Sequence, residues 1–388
     1  MAQFGDFTVD RNSTKYVLGS GGTIISYATD EPAFEFNVDG SYKGLLVEPA
    51  ATNICLQSED FGTTWLDARL DTTSWLNQET APDGNTTADK LIQASGEIVA
   101  GNVQQNITLS AGVHTFSVFA KKGTRNWISL RTNATGSNLD AWFNTDAGTV
   151  GTVDTGLTGK IEEYPNGWYR CSITFTATAG GKVFLIYNTE SDNTVIVADD
   201  GGYQYAWGAQ VETGPIATSY IPTTTASVTR NKDDITLGSA SSLIGQTEGT
   251  IYMEVDWGLA TGITQDLLSA NDGTENNRVV LTKNINNEIR MFAQANSVVL
   301  TNQGESSSGY SGIQKIAFAY KTDDFELYRN GSSISSDTSG SLAALATLTN
   351  IDLGQNYNAA NQANMHIRAV ALYPTRLSDA EAEALTTL

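Results

Sequence analysis

Apolar residues in this chain recur at every second position, in short stretches cut off by turn residues, and long amphipathic helices are absent. The pattern is clearest in HTFSVFAKK (114–122), NWISLRT (126–132), WYRCSITFTA (168–177) and KVFLIYN (182–188). Strict alternation sends successive side chains to opposite faces of a strand, so each stretch reads as a half-buried strand. Between them lie KKG, NATGSN, TDAG, PNG and TAGG, which supply the positive φ and Asx-turn chemistry that hairpins need. With 36 glycines, only 7 prolines and abundant Thr, Ser and Asn, the expected class is all-β, built as sandwiches.

At 388 residues the chain exceeds the usual size of one core, so two domains are expected. Forty-three acidic residues against 22 basic ones give a net charge of −21. Nucleic acid and anionic membranes carry the same sign, so neither is an expected partner. No stretch reaches the roughly 18 to 20 apolar residues of a membrane span. Residues 1–10 lack the basic start and apolar run of a signal peptide, so export by the general secretory route is not expected. Cys55 and Cys171 lie in strand-like NICLQ and YRCSITF and read as buried thiols rather than a disulfide. His114 and His366 are the only histidines, and no Cys/His cluster has zinc-ligand spacing.

Along the chain, residues 1–50 read as an irregular arm with Gly-rich GSGG (19–22), two short strand candidates (TIISYA and AFEFNV) and a turn at Asp39-Gly40. Residues 51–232 form a first sandwich closed by YQYAWGAQVE (203–212), and 213–234 read as an extended linker. Residues 235–388 form a second sandwich. Ser378 and Glu381 have capping-box spacing, which predicts a short C-terminal helix packing Leu385 against it.

Four segments carry a family resemblance: GLLVEPAATNICLQSEDFGTTW (44–65), APDGNTTADKL (81–91), NGWYRCSITFT (166–176) and YAWGAQVETGPIATSYIPTTTASVTR (205–230). Together they resemble the repeating N-terminal module of tailed-bacteriophage tail-fibre and minor structural proteins, a jelly-roll β-sandwich of carbohydrate-binding type. The hairpin-like KIAFAYKTDDFELYRNGSSI in the second half resembles the central hairpin of concanavalin A-like, laminin-G-like domains. The resemblance implies a virion structural protein (tail fibre, head fibre or capsid decoration), made in the host cytoplasm and placed on the phage particle surface. It further implies that the arm docks on neighbouring subunits, that the partners are other virion proteins and host cell-surface polysaccharide, and that a homo-oligomer forms, a trimer being favoured. A purely structural decoration protein without ligand and a glycan depolymerase are the alternatives.

Concanavalin A-like glucanases carry carboxylates as E-x-D-x-E or E-x-D-x-x-E on one strand. Glu254 and Asp256 supply the first two, but positions 258 and 259 are Gly and Leu, so the pair of carboxylates that must flank a glycosidic bond is incomplete. No G-x-S-x-G elbow, His-based triad or P-loop can be assembled, and no catalytic activity is expected. Sugar binding asks for less: an exposed aromatic face and planar polar side chains. In NWISLRT, Ile128 and Leu130 take one face and leave Trp127, Ser129 and Arg131 on the other. Trp127 with Arg131, helped by Trp142 and Tyr187, is the candidate carbohydrate face; Trp127 covered by the other sheet or by a subunit neighbour is the competing reading. Asn356 and Tyr357, in the Asn-rich loop GQNYNAANQAN, are a second candidate, against a plain solvated loop. Asp192, Asp199 and Asp200 in the acidic loop SDNTVIVADDGG are candidates for a structural Ca²⁺ of the kind jelly-roll modules carry, without EF-hand spacing.

Overall fold

A computed structural model describes residues 6–257, 263–286, 288–305 and 312–388. Gly258 and Leu259, which interrupt the carboxylate pattern, lie outside the described residues. The chain is all-β with one short C-terminal helix, and its strands pair antiparallel throughout two sandwiches.

The first sandwich faces a five-stranded sheet against a six-stranded one. The five run in the order Leu157–Tyr164, Trp168–Ala177, Gly112–Lys122, Tyr203–Thr213, Asp89–Ile92. The six run Thr149–Val153, Leu139–Asn144, Trp127–Thr132, Gly180–Thr189, Asn102–Leu109, Leu66–Ala68. The alternating positions do what the pattern requires: Phe116, Val118 and Ile173 from one sheet meet Ile128, Leu130, Phe143 and Phe184 from the other. Cys55 and Cys171 sit in this core as free thiols, and burial pushes both up from the ordinary thiol range.

The second sandwich draws on residues that the sequence set apart as an arm. One seven-stranded sheet is ordered Ser332–Asp337, Asp324–Arg329, Ile313–Lys321, Glu248–Trp257, Met365–Tyr373, Tyr42–Val47, Phe34–Phe36. The other begins with Thr8–Asp10, continues through Asp234–Leu237, Asn350–Leu353 and Gln265–Asn271, and ends with Arg278–Lys283, Ile289–Ala295 and Val298–Gly304. Three N-terminal strands therefore complete the C-terminal sandwich, with Leu45 and Val47 in its core beside Met365 and Ile367. Thr8–Asp10 and Tyr42–Val47 find partners hundreds of residues away, at Asp234–Leu237 and Met365–Tyr373, while Phe34–Phe36, within the strand candidate AFEFNV, pairs locally with Tyr42–Val47. Between them, the hairpin Lys15–Leu18 and Ile24–Tyr27 packs Ile24 and Tyr16 onto Phe119, Trp168, Trp207 and Tyr220 of the first sandwich.

Two of the family-marker segments, 44–65 and 205–230, meet where the chain crosses between sandwiches. Ala51–Asn53 pairs with Val228–Arg230, Gln57 N–H donates to Thr224 C=O, and Thr223 Oγ1 donates to Cys55 C=O. Residues 213–234, read as an extended linker, are instead laced along the incoming segment, because their many hydroxyls and free backbone groups match its own. Beneath this crossing lies a fully enclosed set of charges. Lys15 Nζ stands 3.1 Å from Glu48 Oε2, Arg11 Nη1 stands 3.1 Å from Asp233 Oδ1, and Arg230 Nη2 stands 3.6 Å from Glu48 Oε2. Burial alone would raise the Glu48 carboxyl, but Arg230 and Lys15 outweigh it and hold it far below the usual carboxylate range.

At the C-terminus, Ser378 and Glu381 form the capping box of helix Asp379–Thr386. Ala382 and Leu385 pack on Tyr252, Ala317 and Tyr328 of the second sandwich.

Candidate functional site

The sheet face that carries the sugar-binding candidates is the outer face of the six-stranded sheet. Register fixes what stands beside what: Trp142, Ser129, Tyr187 and Asn102 lie in one row, and Asp140, Arg131, Leu185, Gln104 and Leu66 in the next. Ile128, Leu130, Ala141, Phe143 and Val103 point the other way, into the core. Four of the residues singled out from sequence (Trp127, Arg131, Trp142 and Tyr187) thus share this face.

Their accessibilities differ. The Trp142 and Tyr187 rings are each 5% exposed, because the segment after Thr189 folds back over them. Trp142 Nε1 donates to Thr194 C=O at 3.3 Å, and Val195 and Val197 pack with Leu185 and Tyr187. Both rings support the face rather than offer a stacking platform. Trp127 is half-buried, and one edge is closed by Gly151, where a Cβ would come within 2.5 Å of its ring.

Arg131 is the organised group. Its Nε and Nη2 donate to the two Asp140 oxygens at 2.9 Å each, and Nη1 donates to Tyr187 Oη at 3.0 Å. Burial opposes the guanidinium charge, but the Asp140 bond and charge win and raise it further. A bidentate carboxylate and a phenol hold the guanidinium in one orientation, with further N–H donors left over. Around it the open part of the face offers Gln104, the half-buried Val183 opposite Asn106, and Leu66, 59% exposed. Asp140, Gln104 and Leu66 were not found from sequence, since only the cross-strand register brings them to Arg131.

The second candidate lies on the other sandwich. Asn356 is buried and acts within its own loop, its Oδ1 accepting from the Asn358 and Ala360 N–H groups. Tyr357 is half-buried, its hydroxyl 3.4 Å from Glu275. Asn361 ties the loop to the sheet through Asp266 at 3.0 Å. Asn356 is therefore a clamp that shapes the loop, and Tyr357 is the member presented outward.

The acidic candidates do not converge. Asp192 accepts from Thr152 N–H and Oγ1 at 2.8 and 3.0 Å, whereas Asp200 pairs with Arg125 at 2.6 Å. Asp199 is exposed. Among the described residues no group of three or more His, Cys, Asp or Glu stands close enough to hold a metal.

Glu254 and Asp256 share the outer face of their strand, but Glu254 is 2.7 Å from Arg368 Nε, and Asp256 lies opposite His366. His366 bonds Glu35, whose carboxyl is lowered by that bond against the effect of burial. His114 is buried against Phe175 in the other sandwich.

No family model and no curated protein sequence matches the chain. Among solved structures, the CBM40 module of Ruminococcus gnavus IT-sialidase is similar at 17% identity, covering 38% of this chain and 86% of that one, with a TM-score of 0.33. The leech intramolecular trans-sialidase is similar at 18% identity over 37% of this chain and 24% of that one, with a TM-score of 0.32. The binding domain of botulinum neurotoxin DC, in complex with rat synaptotagmin II, is similar at 12% identity over 40% of each chain, with a TM-score of 0.34. Likenesses of this size leave the functional reading to the side chains of this chain.

Proposed function

We propose that the chain is a structural protein of a tailed-phage particle whose first sandwich binds host-surface glycan through the outer face of its six-stranded sheet. The observation that carries the binding half is Arg131, oriented by Asp140 and Tyr187 beside half-buried Trp127. A fixed fork of N–H donors next to an aromatic edge and amide side chains is what sugar hydroxyls require. The virion half rests on the four segments of family resemblance, two of which, 44–65 and 205–230, pair at the crossing between sandwiches. Assembly as a homo-oligomer, a trimer in particular, belongs to the same reading, as does location on the particle surface.

Binding without catalysis is part of the proposal. The engagement of Glu254 by Arg368 supports it, because the ion pair occupies the carboxylate oxygen that would have to face the glycosidic bond. A decoration protein without ligand is the second reading, favoured by the covering of Trp142 and Tyr187.

The deciding experiment compares wild type with Trp127→Ala and Gln104→Ala in host-cell and polysaccharide pull-downs, alongside incorporation into particles. Loss of cell binding with normal incorporation is the expected result. Unchanged binding by both variants removes the sheet face as the site, and wild-type protein that binds no host glycan leaves the decoration reading.

A further inference from the structure

The second sandwich holds an arginine that makes no hydrogen bond among the described residues. Every other arginine of the chain makes at least one hydrogen bond or ion pair, from Arg11 at the crossing to Arg376 beside the terminal helix. Arg278 makes none among the described residues, and its Nε is buried without an acceptor. Its charge acts on the buried Asp266, whose carboxyl is raised by burial and pulled back by Asn361, Thr282 and Arg278, but no hydrogen bond joins Arg278 to it.

What surrounds Arg278 is aromatic and amide. It lies on the outer face of its sheet, since Val279 and Leu281 on either side point into the core. Its Cζ is 4.8 Å from the Phe292 ring centroid and 5.9 Å from that of Tyr357. Register places Asn271 on one side of it and Gln294 on the other. Rings attract and orient a guanidinium but offer it no acceptor. The acids nearby are committed elsewhere: Asp266 to Asn361, Asp352 to Asn271 at 2.6 Å, and Glu275 to the Tyr357 hydroxyl.

We propose that this face is a binding site for a carboxylate-bearing sugar, with Arg278 taking the carboxylate and Tyr357 and Phe292 flanking the ring. The terminal nitrogens of a guanidinium held by rings present parallel N–H donors, which a carboxylate accepts in plane and a neutral hydroxyl does not. The Asn-rich loop, shaped by Asn356, is what brings Tyr357 over the arginine. The sugar part of the ligand rests on the glycan-binding reading above; the charge preference rests on Arg278 alone.

The test uses full-length protein and paired probes: methyl glucuronide with methyl glucoside, and methyl galacturonide with methyl galactoside, titrated by NMR and by calorimetry. The expected result is that at least one uronide binds about tenfold or more tighter than its neutral twin, a difference that a single charge-assisted pair supplies. Arg278→Leu abolishes the preference, and Arg278→Lys restores part of it. Uronides that bind no better than their neutral twins, or a preference that survives Arg278→Leu in a variant of unchanged melting temperature, overturn the proposal. Failure of the first-sandwich site shows separately, as host-cell binding indifferent to Trp127→Ala and Gln104→Ala.

Discussion

The Lys15 ammonium lies 2.6 Å from the Asp233 carboxylate, 218 residues along the chain, and neither side chain is more than 2% exposed. Glu48 completes the arrangement, so one lysine faces two carboxylates at the place where the chain leaves for the first sandwich and returns from it. Truncating it leaves two charges enclosed with one partner fewer. Lys15→Met is expected to cost about 3 to 5 kcal/mol, read from urea unfolding. Partial proteolysis of the same variant is expected to cut first within residues 213–234, since that segment is laced to the crossing.

Gly44 tests whether the N-terminal strands are integral to the second sandwich. Its φ is +147°, and an added Cβ would stand 2.8 Å from His366 Cβ and 3.1 Å from the Ile367 carbonyl oxygen. Two of the atoms it would meet are backbone of the paired strand Met365–Tyr373, which cannot swing aside as a side chain end can. Gly44→Ala is expected to lower stability by about 1 to 3 kcal/mol, measured by thermal melting. A neutral result would mean that Tyr42–Val47 packs loosely.

Asp352 gives a pH signature. Burial, with Asp234 adding to it and Asn271 opposing, pushes its carboxyl up to about 6 from an ordinary 3.8. A folded-state value above the unfolded one favours the protonated form in the native protein. Its stabilising effect is therefore complete below pH ~3.8 and lost as pH rises through about 6. Asp352→Asn keeps a side chain of the same shape without the charge. Relative to wild type it is expected to gain on the order of 2 kcal/mol at pH 7.5 and almost nothing at pH 4, in denaturant titrations at the two values.

The two tryptophans of the sheet face should separate by stability. Trp142 is enclosed under the segment carrying Thr194 and Val197, so Trp142→Ala is expected to cost about 3 to 5 kcal/mol. Trp127→Ala, at a half-buried position, is expected to cost about 1 kcal/mol, which keeps it usable as a binding probe. Equal losses in chemical denaturation would show Trp127 to be as structural as its neighbour.

The all-β class, the two sandwiches and the capped terminal helix were legible because each follows from local pattern. Alternation placed Ile128 and Leu130 inward and Trp127 and Arg131 outward, and Ser378 with Glu381 announced the helix. What local pattern does not contain is partnership across the chain. AFEFNV could be read as a strand, but the place of Tyr42–Val47 beside Met365–Tyr373, with Phe34–Phe36 on its far edge, depends on residues more than 300 positions later. The same limit applied at the sites. Trp142 and Tyr187 alternate as outward residues should, but the strand pattern says nothing of the segment that covers them. Arg278 sits in RVVLTKN like any strand-end arginine, and only the fold shows that two rings, Phe292 and Tyr357, stand beside it.

The pairing of Ala51–Asn53 with Val228–Arg230 has one more consequence. Both ends of the first sandwich emerge side by side, one strand spacing of about 4.8 Å apart, from a second sandwich whose sheets already close without it. The first sandwich is thus a cassette on a fixed socket. Exchange of residues 51–230 for another sandwich with adjacent ends would therefore need to keep only two things beyond the paired strands: a face that receives Ile24 and Tyr16, and an arginine in place of Arg230 to meet Glu48.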